Sequence, residues 1–196
     1  MTDRWPADPS HVDRAAKRLR QGAVIAFPTD TLYAVGARAG DPAAVRRLYD
    51  IKRRPSGQPM VWLVSGRTQV EPLAVLSEVA IALMARFWPG PLTLILPASN
   101  PLDSPTIAVR APNHQVALAL LDSLGEPIAS SSANLAGASP PVDADQVIEG
   151  LGDTLELVLD GGACQIGQPS TILDLSAESP RILRQGAIPR TELITP

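Results

Sequence analysis

Cysteine is almost absent from this sequence of 196 residues, in which Cys164 is the single one. One cysteine excludes an internal disulfide and is typical of a reducing compartment. No apolar run approaches the roughly 18 residues that a membrane-spanning helix needs, and the N-terminal residues show no export signal. We therefore expect a cytoplasmic protein without a membrane partner. The length favours a single domain over residues 10–190, preceded by a loose lead-in at residues 1–9.

The motifs of several common enzyme chemistries are also missing. The sequence has no G-x-x-x-x-G-K-[ST] run, so a P-loop would not hold a nucleotide, and it has no G-x-S-x-G elbow. His11 and His114 lie far apart without partners at metal-ligand spacing, and Cys164 has no identifiable activating base. These absences favour a site that places substrates and stabilises charge, with no covalent nucleophile and no dedicated metal ligands.

Basic residues are slightly fewer than acidic ones, with 17 Lys and Arg against 20 Asp and Glu and a formal net charge of −3. Such a balance is not the overall footprint of a nucleic-acid-binding protein, although it is compatible with a local basic groove. Proline, in contrast, is abundant. Its 20 residues, together with 14 glycines, predict many short connections.

Capping residues and apolar spacing predict the order of helices and strands. Helices are expected to begin at Ser10, Asp41, Ser77 and Asn113 and near residue 143. Apolar runs predict strands at residues 23–27, 60–64, 92–96, 106–109, 155–159, 172–175 and 182–183. Helices alternate with strands early in the chain, whereas strands cluster late. This order predicts an α/β fold whose sheet mixes parallel and antiparallel strands.

Polar residues of similar chemistry follow several of these predicted strands and helices. Hydroxyl groups occur at residues 29–31, 106–110, 130–134 and 170–171, whereas fixed positive charge occurs at 52–54, 110 and 184. Hydroxyls and amides can bind a carboxylate, an amine or a ribose, and arginine can bind carboxylate or phosphate. Each stretch alone is equally typical of an ordinary turn. Their recurrence at strand boundaries predicts a site for a polar, anionic small molecule.

Eight motifs, taken together and in this order, resemble a known family. They are PTDTLYAVG, IKRRP followed by QPM, WPGPLTLIL, VRAPNH, SSSANLAG, DGG, PSTILDL and ILRQGAI, and the resemblance runs from about Gly22 to Ile188. The resemblance is to the YrdC/TsaC family of threonylcarbamoyl-AMP synthases, in its short, single-domain form. It implies a twisted mixed sheet flanked by helices around a concave site.

The resemblance also implies a nucleotidyltransferase reaction. Family members condense L-threonine, bicarbonate or CO2, and ATP into threonylcarbamoyl-AMP and pyrophosphate, with Mg2+ accompanying the nucleotide. The product then passes to other proteins of the threonylcarbamoyladenosine modification of tRNA. By the resemblance, threonine would contact Thr31, Arg110, Ser130 and Ser170. ATP and its phosphates would contact Lys52, Arg54, Gln58, Thr106, Ser132, Asn134, Ser139 and Arg184, with Lys52 and Arg54 acting electrostatically.

Two departures from the family pattern bear on that function. Gln58 stands where the family usually has a lysine near the phosphates, and Ala34 stands where it usually has a glycine. The first removes one fixed cation, for which the neighbouring Arg53 is a candidate replacement. Two alternatives therefore stay open beside the synthase. One is a related protein with another amine substrate or without activity, and the other is a module that binds double-stranded RNA.

Overall fold

A computed structural model describes residues 2–55, 58–100 and 104–193. Within these ranges, ten strands form one sheet: β1 (Asp3–Pro6), β2 (Ile25–Phe27), β3 (Ala34–Arg38), β4 (Val61–Leu63), β5 (Leu92–Pro97), β6 (Thr106–Arg110), β7 (Ile128–Ser132), β8 (Leu157–Asp160), β9 (Thr171–Asp174) and β10 (Arg181–Arg184). The α-helices there are α1 (Pro9–Arg20), α2 (Pro42–Lys52), α3 (Arg67–Val70), α4 (Glu78–Phe87), α5 (Gln115–Leu124), α6 (Ala144–Leu151) and α7 (Arg190–Leu193). None of these described helices is both long and apolar enough to cross a bilayer.

The sheet mixes strand directions, as the sequence predicts. Its strand order is β1-β8-β2-β3-β7-β4-β6-β5-β9-β10. The pairs β1/β8, β2/β8, β4/β6 and β5/β9 are parallel, whereas β2/β3, β3/β7, β4/β7, β5/β6 and β9/β10 are antiparallel. Because most neighbours are not consecutive in the chain, distant segments meet. Val61, for example, lies between Ser130 of β7 and Ala108 of β6.

Helices cover both faces of the sheet. Successive side chains of a strand point to opposite faces, so one strand contributes to two apolar clusters. Ile25 and Phe27 belong to one apolar cluster with helices α1 and α5, whereas Val24 and Ala26 belong to another with α2 and α6. A third cluster joins helix α4 to strands β5, β6 and β9.

The N-terminal residues are ordered, so the expected loose lead-in is wrong for Asp3–Pro6. These residues form strand β1, which pairs in parallel with β8. The Arg4 side chain donates hydrogen bonds to Asp145 and to Asp160, at 2.6 and 2.7 Å, and the guanidinium of Arg14 lies 4.3 Å from the ring centre of Trp5. Partners about 140 to 160 positions away hold this strand, so local sequence gives no sign of it.

Two of the predicted helix caps are wrong, and the reason is the same in both. Helix α1 begins after Asp8, whose carboxylate accepts from the His11 amide at 3.0 Å, and Ser10 donates its hydroxyl to Asp8 instead of capping. Helix α5 begins after His114, whose Nδ1 accepts from the Val116 amide at 3.3 Å. In each case a residue one or two positions away, with a side-chain acceptor, replaces the expected one. The caps at Asp41 and Ser77 are confirmed.

The predicted loop at residues 130–134 is largely a strand. Ser130, Ser131 and Ser132 belong to β7 and pair with Gly36, Val35 and Ala34 of β3, a strand that apolar runs did not predict. Serine is a weak strand former, but pairing of all three serines with β3, and of Ser130 with β4 as well, overrides local preference. Three consecutive serines therefore stand at fixed positions on the sheet.

Candidate active site

A cavity of about 610 Å³ lies against the central strands of the sheet. It is lined by the turn after β2, the segment between α2 and β4, strands β4 to β7, the segment after β7, the segment that leads into β9, and the end of β10. Nine of the twelve predicted site residues line it: Thr31, Arg54, Gln58, Arg110, Ser130, Ser132, Asn134, Ser170 and Arg184. Residues separated by more than 150 positions thus share one cavity.

Arg110 is the most enclosed charged residue of the cavity wall, with 6% of its surface exposed. Its Nη1 donates to the Thr31 hydroxyl at 2.8 Å, its Nη2 to Asp30 Oδ1 at 2.5 Å, and its Nε to the carbonyl of Gly90 at 3.0 Å. Burial lowers the pKa of Arg110, and the neighbouring Asp30 opposes that shift. These contacts occupy three of its five N–H groups and leave two for a ligand.

Asp30, to which no role was assigned from sequence, fixes the orientation of Arg110. It is 2% exposed, and its Oδ1 also accepts from the backbone amide of Asn113 at 3.1 Å. Its Oδ2 is buried and has no hydrogen-bond partner among the described residues. The PTDT motif was the only sequence signal for a role of Asp30. Which of its side chains contacts an arginine depends on strand β6, which begins 76 positions further along the chain.

A second hydroxyl network lies around Ser170. The hydroxyls of Ser170 and Thr93 are 2.8 Å apart, and both line the cavity. Arg184 donates from Nη2 to the Ser170 hydroxyl at 3.1 Å and to the Ser170 carbonyl at 2.9 Å. Thr93 was missed from sequence because it lies inside a buried strand, where a threonine is more often a packing residue.

Arg54 and Arg184 have only neutral partners in the described part of the chain. Arg54 donates to the carbonyls of Gln58 and Pro59 at 3.1 and 3.0 Å and to the Ser131 hydroxyl at 3.3 Å. Burial lowers the pKa of Arg184, and the positive charge of Arg54 lowers it further. Two mutually repelling cations without an acid favour an anionic ligand between them.

The family model that matches this chain is Sua5/YciO/YrdC, described as "Telomere recombination", and it covers residues 17–186. The chain belongs to the Sua5/YciO/YrdC family. It is 41% identical to a threonylcarbamoyl-AMP synthase of Pyrococcus abyssi over 91% of its own length and 55% of the relative's. For the threonylcarbamoyl-AMP synthase of Bacillus subtilis, the identity is 39% over 98% and 58%. The chain thus spans little more than half the length of these curated relatives.

A solved structure of the same family is also similar throughout the chain. P. abyssi Sua5 complexed with L-threonine superposes with a TM-score of 0.92 at 38% identity. The superposition covers 98% of this chain and 59% of the Sua5 chain. E. coli YciO, at 28% identity and a TM-score of 0.85, is covered to 97% of its length. The mixed sheet described above is therefore the fold of the Sua5/YciO/YrdC domain.

Lys52, expected at the phosphates by resemblance, does not line the cavity of this Sua5/YciO/YrdC domain. It is 2% exposed, and its Nζ donates to the backbone carbonyls of Ser132 and Asn134 at 2.5 and 2.6 Å. Burial lowers its pKa to about 8, and Arg54 contributes to the shift. Lys52 is the last residue of helix α2 and its side chain is buried. It therefore fixes the backbone of two cavity residues without contacting the cavity itself.

Thr106 and Ser139 are the other two predicted residues that do not line the cavity. Thr106 begins strand β6 and pairs with Pro97 of β5. Ser139 is exposed, although Ala138 and Pro140 on either side of it belong to the wall. In strand β6, Ala108 and Arg110 line the cavity, whereas Thr106 lies at the start of the strand.

Cys164 packs beside the cavity-forming segments without facing the cavity. Burial raises the pKa of its thiol to about 11, so the thiol is protonated near neutral pH. Among the described residues, no group of three or more His, Cys, Asp or Glu side chains could hold a metal ion. The chemistry that the wall supports is hydrogen bonding and charge stabilisation by arginines and hydroxyls.

Proposed function

We propose that this chain makes threonylcarbamoyl-AMP from L-threonine, bicarbonate-derived CO2 and ATP, with release of pyrophosphate. One observation carries the proposal: a single cavity holds three arginines. Arg110 donates to the Thr31 hydroxyl, whereas Arg54 and Arg184 have only neutral partners among the described residues. The family relatives named threonylcarbamoyl-AMP synthase support it. The product would serve the threonylcarbamoyladenosine modification of tRNA, through the proteins that act downstream.

The amino acid is assigned to Arg110 and the hydroxyls near it. The two remaining N–H groups of Arg110 can grip a carboxylate, and the hydroxyls of Thr31, Ser130 and Ser170 can bind the polar groups of the substrate. Sua5 of P. abyssi, the related protein, binds L-threonine. We infer that L-threonine occupies this region of the cavity in the present chain.

The nucleotide is assigned to Arg54, Arg184 and the segment after β7. The two arginines would face the triphosphate, and Gln58 and Ser132 would contribute hydrogen bonds. Asn134 Oδ1 is buried and has no partner in the described ranges, so it can accept from a ribose hydroxyl or the base. Mg2+ would arrive on the phosphates, because the described cavity wall contains hydroxyl and amide oxygens but no carboxylate.

The reaction needs no protein nucleophile. The free amine of threonine adds to CO2 and loses a proton, which gives a carbamate. A carbamate oxygen then attacks the α-phosphorus of ATP, and the bond from that phosphorus to the bridging oxygen breaks to release pyrophosphate. Positive charge from Arg54 and Arg184 would stabilise the departing group, and in-line placement would supply much of the rate. An enclosed cavity would protect the carbamate from water.

Pyrophosphate release tests this proposal directly. The protein is incubated with ATP, Mg2+, bicarbonate and L-threonine, and each component is then omitted in turn. We expect release that requires both threonine and bicarbonate, with threonylcarbamoyl-AMP detected by mass spectrometry. Release with another amine but not with threonine would contradict the substrate assignment. An absence of release with any amine would contradict the synthase itself.

A further inference from the structure

The three arginines of the cavity differ in the charge of their partners. Arg110 is bonded to the buried carboxylate of Asp30, whereas Arg54 and Arg184 donate to carbonyls and hydroxyls. Asp30 and Arg110 are 2% and 6% exposed, so water screens this pair little. The Asp30–Arg110 pair itself therefore carries no net charge before any ligand enters, and Arg184 is the cation outside the pair whose charge reaches Arg110.

Neutrality at this point constrains which ligand is favoured. A bare anion that joins Asp30 and Arg110 leaves an uncompensated negative charge in a poorly solvated place. An amino-acid zwitterion adds a carboxylate and an ammonium together, so the sum of charges stays at zero. Arg110 and one backbone amide are the only hydrogen-bond partners of the Asp30 carboxylate among the described residues, and its Oδ2 has none. Its negative charge is therefore compensated by Arg110 alone, and a second anion at Arg110 would compete for that compensation.

We propose that Asp30 is a specificity-determining residue that selects zwitterionic amino acids over simple carboxylates at Arg110. The inference rests on the proposed function, in that the cavity takes an amino acid, and goes beyond it by assigning the discrimination to an acid behind the binding arginine. Asp30 does not line the cavity. It acts through Arg110, and its effect is on the choice of ligand.

Calorimetric titration of Asp30→Asn without ATP tests the inference. The two probes are L-threonine and (R)-3-hydroxybutyrate, which keeps the carboxylate and the hydroxyl but lacks the amine. In the wild-type protein we expect threonine to bind far more tightly than hydroxybutyrate. Asp30→Asn turns the region positive, so the ratio of the two dissociation constants should shift by about tenfold to a hundredfold towards hydroxybutyrate. A purely structural residue would weaken both ligands alike.

Asp145→Asn is the matched control. It makes the same acid-to-amide change in an ion pair, with Arg4, that lies at the exposed edge of the sheet. The ratio should be unchanged in this variant. An unchanged ratio in Asp30→Asn, with threonine still bound, would overturn the inference and leave the proposed function standing. If wild-type protein bound no threonine, the proposed function would be wrong, and this inference with it.

The wild-type protein supplies a second test, which also serves if Asp30→Asn does not fold. A neutral region attracts chloride weakly, so the threonine dissociation constant should change by less than about twofold between about 20 and 300 mM chloride. ATP, bound at arginines with neutral partners, should weaken severalfold over the same range. A threonine affinity that falls as steeply as the ATP affinity would contradict the role of Asp30.

Discussion

Two regions of one cavity wall both contain arginine, but they give its guanidinium group partners of different charge. In the carboxylate-paired region, which comprises Asp30, Thr31 and Arg110, the guanidinium is buried and neutralised. In the neutral-partner region, which comprises Arg54, Ser131 and Arg184, neither guanidinium has a carboxylate partner among the described residues. Under the proposed function, this difference in partners would suit the first region to a zwitterion and the second to a polyanion.

Arg110→Met should have the largest effect. It leaves the buried Asp30 carboxylate without its cation, which costs about 3–5 kcal/mol of unfolding free energy. Threonine binding should be lost, whereas the ATP dissociation constant should change little. Denaturant unfolding and calorimetry measure both, with the exposed Arg86→Met as control. An equal loss of threonine and ATP binding would show that the two regions are not separate.

Arg54→Met is the reciprocal change in the neutral-partner region. Hydrogen bonds to a charged group contribute about 1.5–3 kcal/mol each, so ATP affinity should fall by about tenfold to a hundredfold. Threonine affinity should hold within about twofold, because Arg110 and its partners are untouched. The neighbouring Arg53→Met is the control, since Arg53 is exposed and outside the cavity wall. A similar ATP loss in the control would indicate that Arg53 also contacts the phosphates.

Lys52→Met tests the support behind the neutral-partner region through its pH dependence. Lys52 titrates near 10.5 in the unfolded chain and at about 8 in the folded protein. Between these values the unfolded chain binds the extra proton, so the Lys52 contribution to the unfolding free energy rises with pH. The wild-type value minus the Lys52→Met value should therefore rise by about 1–3 kcal/mol across this window.

Chemical denaturation at a series of pH values measures this difference. Lys17→Met, which removes the only other lysine of the sequence, is the control and lies on the exposed side of helix α1. Its difference curve should be flat. A flat curve for Lys52→Met as well would mean that Lys52 keeps an ordinary pKa in the folded protein.

Gln58→Lys should have the smallest effect and acts by addition. A third cation in the neutral-partner region should lower the Michaelis constant for ATP severalfold in the pyrophosphate assay, with no change for threonine. Gln21→Lys changes the net charge equally at an exposed site after helix α1 and is the control. An unchanged constant would show that another group already neutralises the phosphates there.

Much of the fold could be predicted from the sequence because its signals are local. The Asp41 and Ser77 caps and the apolar runs of β5 and β9 lie within a few residues of what they specify. Strands β1 and β3 could not be predicted, since each is held by pairing with a distant strand. The serines of β7 were likewise predicted to form a loop, because their strand is specified by pairing with the distant strands β3 and β4.

The candidate site was predictable as a set of motifs and less so as a set of contacts. Arg54, Arg110 and Arg184 lie on the cavity wall, where the recurrence of cations with hydroxyls suggested a ligand. Lys52 shares the same motif as Arg54, but helix α2 turns it inward to two carbonyls. Asp30 and Thr93 gained their roles only through partners 77 to 83 positions away.

The position of β10 in the strand order has a consequence for protein synthesis. Arg184 reaches the cavity only when β10 has paired with β9, and β9 with β5. A ribosome-bound chain that has not yet exposed residue 184 therefore lacks part of the proposed nucleotide site, however well its earlier strands have formed. By the proposed function, neither ATP nor threonine would fully stabilise such an intermediate, so its stability would rest on the chain's own apolar clusters.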